Sequence, residues 1–287
     1  MSEAQSFELR TADDLSLSAQ AWLPPEFRAA IAVVHGIAEH SGRYAFLAER
    51  ANRQGYGVVS VDLRGHGRSP GERSYVERFD DYLRDVDALL AKAQELAAGR
   101  PVFLMGHSMG GAIALRWLAQ RGRPVAGLLL SSAALKLGDD VPRLLVALAP
   151  LLSRWVPHLR GTRLDPALIS RDAAAVAAYV GDPLVSLQAP PARTGAELLR
   201  IMVANRAAAA GLTLPVYLFH GDADRLTDPA GSQEIYDLWG GPDRTLRLWP
   251  GSRHETLNDL DREAVAAELL DWVLAHCRMN PANAEIE

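Results

Sequence analysis

A serine stands between two glycines where an apolar run gives way to a helical pattern. The stretch is GHSMG, residues 106–110, and it follows the apolar run VFLM. A serine in a strained strand-to-helix turn projects its hydroxyl above the sheet, and the helix that follows favours negative charge at its N-terminus. Glycines at 106 and 110 allow the strand and the helix to approach closely. The spacing predicts that Ser108 is a nucleophile for acyl transfer rather than only a turn residue.

A nucleophilic serine needs a base, and the base needs a group that orients it. With this kind of turn, the chain order is serine, acid, histidine, and four histidines follow Ser108. We expect His158 in an inserted cap, His220 in or at the end of a strand, and His276 in the final helix. His254 follows the predicted strand RTLRLW in a loop at its carboxyl end, where open α/β sheets place their sites. By position, His254 is the best base.

The orienting acid is expected in HGDADRLTDP, which offers Asp222, Asp224 and Asp228. Loop position does not separate the three. Asp222 is suited to brace the turn after Gly221, and Asp228 precedes a proline and a helical run, so capping that helix is its default role. Asp224 remains as the best candidate.

Attack on a carbonyl creates an oxyanion, which needs preorganised N–H donors. One donor is the amide of Met109, directly after the nucleophile. The other is expected in the loop VVHGIAEHSGRY, where the His35-Gly36 turn directs the amide of Ile37 inward.

The same loop carries Glu39, His40 and Arg43 close to the predicted mouth of the site. These side chains either bind a polar head group or cap the next helix and pair with one another. No metal is expected, because the acidic cluster lacks the glycine and distal glutamate of an EF-hand, and HETLN is not an HExxH motif.

The elements that must position these residues alternate between strand and helix. AAIAVV, YGVVSV and PVFLM are apolar strands, each followed by a helical pattern, which predicts an α/β fold with a mostly parallel central sheet flanked by helices. The alternation lapses after residue 137, which predicts a core of residues 1–137 and 207–287 and a helical cap at 138–206. The N-terminal segment predicts a hairpin at the sheet edge, and the tail NPANAEIE is expected to be disordered.

Bulk composition excludes several classes of protein. The 287 residues carry a net charge of −5 with no basic stripe, so no nucleic-acid partner is expected. The polar N-terminus lacks a secretory signal, and prolines and arginines interrupt the apolar stretch 141–159, so we expect a cytoplasmic protein without a membrane span. The single Cys277 excludes an internal disulfide. The oligomeric state stays open.

Apolar residues recur through the first part of the predicted cap and allow two interpretations. Either they pack the cap onto the core, or some face outward and give transient contact with a membrane surface. Both can hold for different faces. The residues are Leu144, Leu145, Leu148, Leu151, Leu152 and Trp155.

Several segments together resemble the monoacylglycerol lipase family of α/β-hydrolases, from the first βα unit through the cap to the final helix. They are HGIAEHSGRY, DLRGHGRSPGER, GHSMGGAIAL, LDPALISRD, YVGDPLV and GDADRLTDP. The resemblance implies a triad of Ser108, Asp224 and His254 with oxyanion amides at Ile37 and Met109. It also implies that an apolar cap lines an acyl channel and that four side chains approach the glycerol end of the substrate: Glu39, Arg43, His107 and Tyr179.

The resemblance implies hydrolysis of a monoacylglycerol through an acyl-enzyme, without a cofactor. A lysophospholipase or a broad carboxylesterase would use the same triad. A hydrolase-fold protein that binds an apolar ligand without turnover is a third alternative, but a complete set of serine, acid and histidine argues against it. Dehalogenases and epoxide hydrolases would need an aspartate in place of Ser108.

Overall fold

The computed structural model of the chain describes residues 3–122, 124–138, 143–161 and 165–278. Its strands are β1 (Gln5–Arg10), β2 (Ser16–Trp22), β3 (Ala29–Val34), β4 (Tyr56–Val61), β5 (Val102–His107), β6 (Gly127–Ser131), β7 (Val216–Gly221) and β8 (Arg244–Trp249). Its α-helices are α1 (Ala45–Arg53), α2 (Asp80–Ala97), α3 (Met109–Arg121), α4 (Arg143–Trp155), α5 (Ala173–Gly181), α6 (Ala192–Ala208), α7 (Pro229–Leu238) and α8 (Arg262–Arg278). Short 3₁₀ turns cover Ser41–Tyr44, Pro166–Leu168, Ala209–Gly211 and Thr256–Asn258.

The described residues form one eight-stranded sheet in the order β1-β2-β4-β3-β5-β6-β7-β8. The hairpin of β1 and β2 joins β4 antiparallel at one edge, and the remaining neighbours are parallel. The predictions of a mostly parallel α/β sheet and of an N-terminal edge hairpin are confirmed.

Helices cover the sheet on both faces, because its central strands are apolar on both sides. All six residues of β3, β4, β5 and β7 are buried, which is typical of a parallel sheet between helix layers. Side chains of α1 and α8 pack on one face, and those of α2, α3 and α7 pack on the other.

The chain reverses its direction of travel across the sheet at β3, which lies between β4 and β5. Ligands bind outside the carboxyl ends of the strands at such a switch point. The loop after β3 carries Ile37, and β5 ends directly before Ser108. The loops after β7 and β8 carry Asp224 and His254 at the same edge of the sheet.

Helices α4, α5 and α6 interrupt the βα order between the neighbouring strands β6 and β7. These helices lie where the sequence predicts a cap, and the bounds 138–206 stay a prediction. The tail NPANAEIE lies outside the described residues. Within the described part of the chain, no helix combines the length and the apolar character needed to cross a bilayer.

Candidate active site

Ser108 lies at the sharp turn between β5 and α3. Its φ of 53° and ψ of −120° belong to a region that residues other than glycine rarely adopt. A Cβ on Gly106 would lie 2.2 Å from the carbonyl oxygen of Gly110, and a Cβ on Gly110 would lie 2.1 Å from that of Val34. The close approach predicted from the glycine spacing is therefore confirmed.

His254 and Asp224 form a buried pair beyond the ends of β8 and β7. Nδ1 of His254 lies 2.7 Å from Oδ2 of Asp224. Oδ1 of the carboxylate accepts the amides of Leu226 at 2.8 Å and Thr227 at 3.1 Å. Because a carboxylate only accepts, Nδ1 of His254 donates, and Nε2 is left as the acceptor nitrogen. This is the tautomer that a general base requires.

Burial and charge act in opposite directions on this pair. Burial disfavours the Asp224 carboxylate, but the charges and hydrogen bonds of His254 and His220 lower the pKa of Asp224 far below its usual value. Burial also disfavours a charged His254, but the Asp224 carboxylate raises the pKa of His254 above its usual value. Asp224 is therefore ionised at neutral pH and stabilises a proton on His254.

Ser108 and His254 face one cavity of about 590 Å³. The ring of His107, the neighbour of Ser108, lies 4.9 Å from the ring of His254. Within the described residues, the Ser108 hydroxyl makes no hydrogen bond that meets standard geometry. Such bonds are often long in free enzymes and shorten when substrate binds. The structure thus brings serine and histidine to one cavity wall without a formed bond between them.

The other two candidate acids have local structural roles. Oδ1 of Asp222 accepts the amide of Gly251 at 2.6 Å and braces the adjacent turn. Asp228 accepts the amide of Ala230 at 2.9 Å as the N-cap of α7. Asp224 is the acid of the three that contacts His254.

The two predicted oxyanion donors belong to residues that line the same cavity as Ser108. Ile37 and Met109 both line the cavity, and neither amide donates to another group in the described part of the chain. The loop that carries Ile37 is held by the amide of Gly36, which donates to Oε1 of Glu39 at 2.6 Å. Unpaired N–H groups at the start of a helix and in an adjacent loop are suited to bind a negative oxygen.

Arg43 is held between two carboxylates behind the cavity wall. Its guanidinium donates to Glu39 at 2.9 Å and to both oxygens of Glu255 at 2.6 Å, and it stacks 4.7 Å from the centre of the Tyr179 ring. Glu39 also accepts the hydroxyl of Tyr44 at 3.0 Å. Burial alone would raise the pKa of Glu39, but Arg43 lowers it to about 2. The predicted pairing of Glu39 with Arg43 is confirmed, and Glu39, Tyr179 and Glu255 line the cavity.

The remaining histidines separate into those near the site and those away from it. His107 lines the cavity, and burial lowers its pKa to about 4. His40 caps the turn Ser41–Tyr44 and lies 2.8 Å from Asp182 after α5. His158 pairs with Glu72, and His276 pairs with Asp243, both away from Ser108.

Most of the cavity wall is apolar and comes from the predicted cap, which includes most of α6. These side chains share the cavity with Ser108 and form an apolar surface that suits a hydrocarbon chain. They include Val146, Leu152, Leu159, Leu198, Leu199 and Met202.

The apolar residues of α4 divide between two surfaces. Leu152 is half-buried and lines the cavity, as the packing interpretation predicted. That interpretation is wrong for four others, which repeat along one exposed face and point away from the core: Leu144, Leu148, Leu151 and Trp155, with Leu144 and Trp155 both 70% exposed. A helical repeat marks an apolar stripe but does not tell which side meets the core. The side chain of Leu145 lies outside the described part of the structure.

Sequence reasoning missed three contacts of the site. His220 and Thr227 contact Oδ2 of Asp224 at 3.0 and 2.8 Å, and Glu255 holds Arg43. His220 precedes Asp224 by four residues at a strand end, and Glu255 follows His254 directly, so sequence proximity was the available signal. No group of three metal-ligating side chains occurs within the described ranges.

Comparison with known proteins shows that the chain is similar to lipases along most of its length. A family model described as serine aminopeptidase, S33, matches residues 25–261. The chain is 34% identical over 256 residues to a monoacylglycerol lipase of Mycolicibacterium smegmatis, covering 89% of this chain and 91% of the relative. It is 35% identical over 269 residues to human monoglyceride lipase, covering 92% and 89%. A crystal structure of Paleococcus ferrophilus monoacylglycerol lipase superposes with a TM-score of 0.82 at 33% identity, covering 91% of this chain and 99% of that one.

Proposed function

We propose that this chain, which belongs to the monoacylglycerol lipase family of α/β-hydrolases, hydrolyses monoacylglycerols to glycerol and a free fatty acid. Membership of the family makes the chain a carboxylic ester hydrolase. One observation carries the mechanism: His254, held by Asp224, faces the same cavity as Ser108 at its strained turn.

In the first half of the reaction, Nε2 of His254 takes the hydroxyl proton of Ser108 while Oγ of Ser108 attacks the ester carbonyl carbon. Asp224 keeps the imidazole in the required tautomer and stabilises its positive charge. The amides of Ile37 and Met109 bind the oxyanion of the tetrahedral intermediate. His254 then gives its proton to the departing glycerol oxygen, which leaves an acyl group on Ser108.

In the second half, water attacks the acyl-enzyme after losing a proton to His254, and the same donors bind the second oxyanion. Collapse of that intermediate returns a proton to Ser108 and releases the fatty acid. Three side chains and two backbone amides of this protein, together with the ester and one water molecule, are all that these steps use.

The two ends of the cavity support a monoacylglycerol as the substrate. The apolar wall suits the acyl chain, and the glycerol end is assigned to Glu39, Arg43, His107 and Tyr179. Arg43 already donates to two carboxylates, so its role is to hold Glu39 and Tyr179 in place rather than to contact the substrate directly. Carboxylate and imidazole groups are suited to bind the hydroxyls of glycerol.

Hydrolysis of 1-oleoylglycerol by purified wild type and Ser108→Ala tests the function. We expect the variant to lose on the order of 10⁴-fold or more in kcat with an unchanged melting temperature. Ser132→Ala is the matched control, because this nearby buried hydroxyl has no partner among the described residues. Comparable turnover by Ser108→Ala would contradict the assignment. Lysophosphatidylcholine and p-nitrophenyl butyrate in the same assay separate lysophospholipase and broad esterase activity from the proposed one.

The exposed apolar face of α4 supports a second proposal, namely that the cap contacts lipid surfaces transiently and receives substrate there. Flotation with phosphatidylcholine liposomes tests this, with Leu148→Glu expected to reduce the floating fraction. Leu238→Glu on α7 is the control, since Leu238 is 39% exposed and Leu148 is 40% exposed. Equal flotation of both variants and wild type would contradict membrane contact through α4.

A further inference from the structure

A second imidazole contacts the carboxylate that holds His254. Nε2 of His220 lies 3.0 Å from Oδ2 of Asp224, the oxygen that also accepts Nδ1 of His254. We propose that His220 is a positioning residue of the proposed ester hydrolysis, which fixes Asp224 and moderates the basicity that Asp224 gives to His254. The inference rests on the proposed function, and none of the proposed steps uses His220.

The partners of His220 determine where its proton lies. A carboxylate only accepts, so Nε2 of His220 donates to Asp224. Nδ1 lies 2.8 Å from Oγ of Ser232 on α7, whose hydroxyl donates to Nδ1 when the ring is neutral. His220 and Ser232 are both fully buried, so water does not compete for these bonds. The chain Ser232–His220–Asp224–His254 therefore links α7 to the proposed base.

Hydrogen-bond donors surround the Asp224 carboxylate. Oδ1 accepts two backbone amides, and Oδ2 accepts His254 and His220. Oδ2 also lies 2.8 Å from the hydroxyl of Thr227, whose single proton is shared with the carbonyl oxygen of Ser132 at 3.1 Å. Each donor disperses negative charge from the carboxylate and weakens its attraction for a proton on His254. Removing the His220 donor leaves more charge on Oδ2 and should raise the pKa of His254.

Other charged groups surround both imidazoles, and all are retained in the His220 variants. Glu39 after β3, His107 at the end of β5 and Glu255 directly after His254 face His254, and Asp228, the N-cap of α7, faces His220. Arg43, in the turn Ser41–Tyr44, faces His107. A shift of the pH profile in a His220 variant is therefore attributed to His220 itself.

The pH dependence of kcat/KM for 1-oleoylglycerol tests the proposal in wild type, His220→Leu and His220→Gln. The acid limb of this profile reports the pKa of the base in the free enzyme. We expect His220→Leu to lower kcat by ~10-fold and to move the acid limb upward by ~0.5 pH unit. Glutamine can again donate to Asp224, so we expect His220→Gln to return the limb to within ~0.2 unit of wild type.

His276→Gln is the matched control, because His276 is also a largely buried imidazole paired with an aspartate, away from Ser108. It should leave the acid limb in place. If His220→Leu fails to fold, as judged by its melting transition, Ser232→Ala replaces it. Loss of the Ser232 hydroxyl removes the donor to Nδ1 that orients and polarises the ring, so Nε2 donates more weakly to Asp224 and an upward shift is again expected. An unmoved limb in the folded variant overturns the proposal.

The same experiment separates this inference from the proposed function. A wild type without ester hydrolysis, or a fully active Ser108→Ala, contradicts the function. If wild type is active and Ser108→Ala is inactive, the proposed function stands. An acid limb of the kcat/KM profile that does not move in the His220 or Ser232 variant then contradicts only the role of His220.

Discussion

Replacement of Arg43 by methionine should destabilise the protein, because it leaves two buried carboxylates facing each other. Arg43 donates three hydrogen bonds to Glu39 and Glu255, and all three side chains are at most 10% exposed. Methionine preserves most of the aliphatic volume and removes the guanidinium that contacts Tyr179. The charge is therefore the main property that changes.

The expected loss follows from the charge that Arg43 supplies to Glu39. Burial raises the pKa of Glu39, and Arg43 is the largest of several groups that together lower it to about 2. Removing one partner of a buried ion pair costs about 3–5 kcal/mol, and the lower end, about 3 kcal/mol, is expected here because Glu39 keeps its bonds to Gly36 and Tyr44. For a chain of this size, the melting temperature should fall by roughly 6–12 °C.

The loss should depend on pH with a definite sign. A carboxylate whose pKa is lowered by folding stabilises the protein above its unfolded pKa and loses that contribution as the pH falls toward its folded pKa. Without Arg43, burial raises the pKa of Glu39 in the folded variant above 4.5, so the difference between wild type and Arg43→Met should be full only above that raised pKa and should shrink as the pH falls from there toward about 2.

Urea unfolding at pH 7 and at pH 4 measures both effects. Arg50→Met is the control, since Arg50 makes a similar two-pronged contact with Glu263 but on an exposed surface. Exposed ion pairs contribute little, so this variant should change the unfolding free energy far less. A loss in Arg43→Met no larger than in Arg50→Met, or one equal at both pH values, would refute the reasoning.

Three further outcomes are expected. Asp224→Asn should lower kcat by on the order of 10⁴-fold with little change in KM, because the amide favours the wrong tautomer of His254; steady-state kinetics that remain near wild type would exclude Asp224 as the orienting acid. Activity should fall as the pH drops through the pKa of His254, which Asp224 raises above its usual value, and a kcat/KM profile flat from pH 5 to 8 would contradict a histidine base. Gly110→Ala should prevent correct folding, since the added Cβ would lie 2.1 Å from the carbonyl oxygen of Val34. The control Gly181→Ala should yield soluble protein, because its Cβ meets no atom within 4 Å. Soluble, active Gly110→Ala would contradict the close approach at this turn.

Local sequence signals account for the sheet and for the turn at Ser108. Alternating apolar strands and amphipathic helices predict the α/β order, and the glycines beside Ser108 predict the close approach of β5 and α3. His254 and Asp224 could also be predicted from the sequence, since chain order and position at the carboxyl ends of the strands restrict the candidates.

Local sequence signals did not predict the contacts between segments that are far apart in the chain. Arg43 and Glu255 are 212 residues apart, and nothing in composition selects that pair from the other acidic residues. The helical stripe of Leu148 and Trp155 is visible in the sequence, but its orientation depends on how α4 packs on α6, so the sequence left burial and exposure of that face both open. Tertiary packing decides such cases.

The central claim is that Ser108 is a nucleophile activated by His254. Incubation with a fluorophosphonate, followed by mass analysis of the peptides, tests it directly. We expect one covalent adduct, located on Ser108, that is absent in Ser108→Ala and forms more slowly by orders of magnitude in His254→Ala. An unlabelled Ser108 in active wild-type protein, or equally rapid labelling without His254, would contradict it.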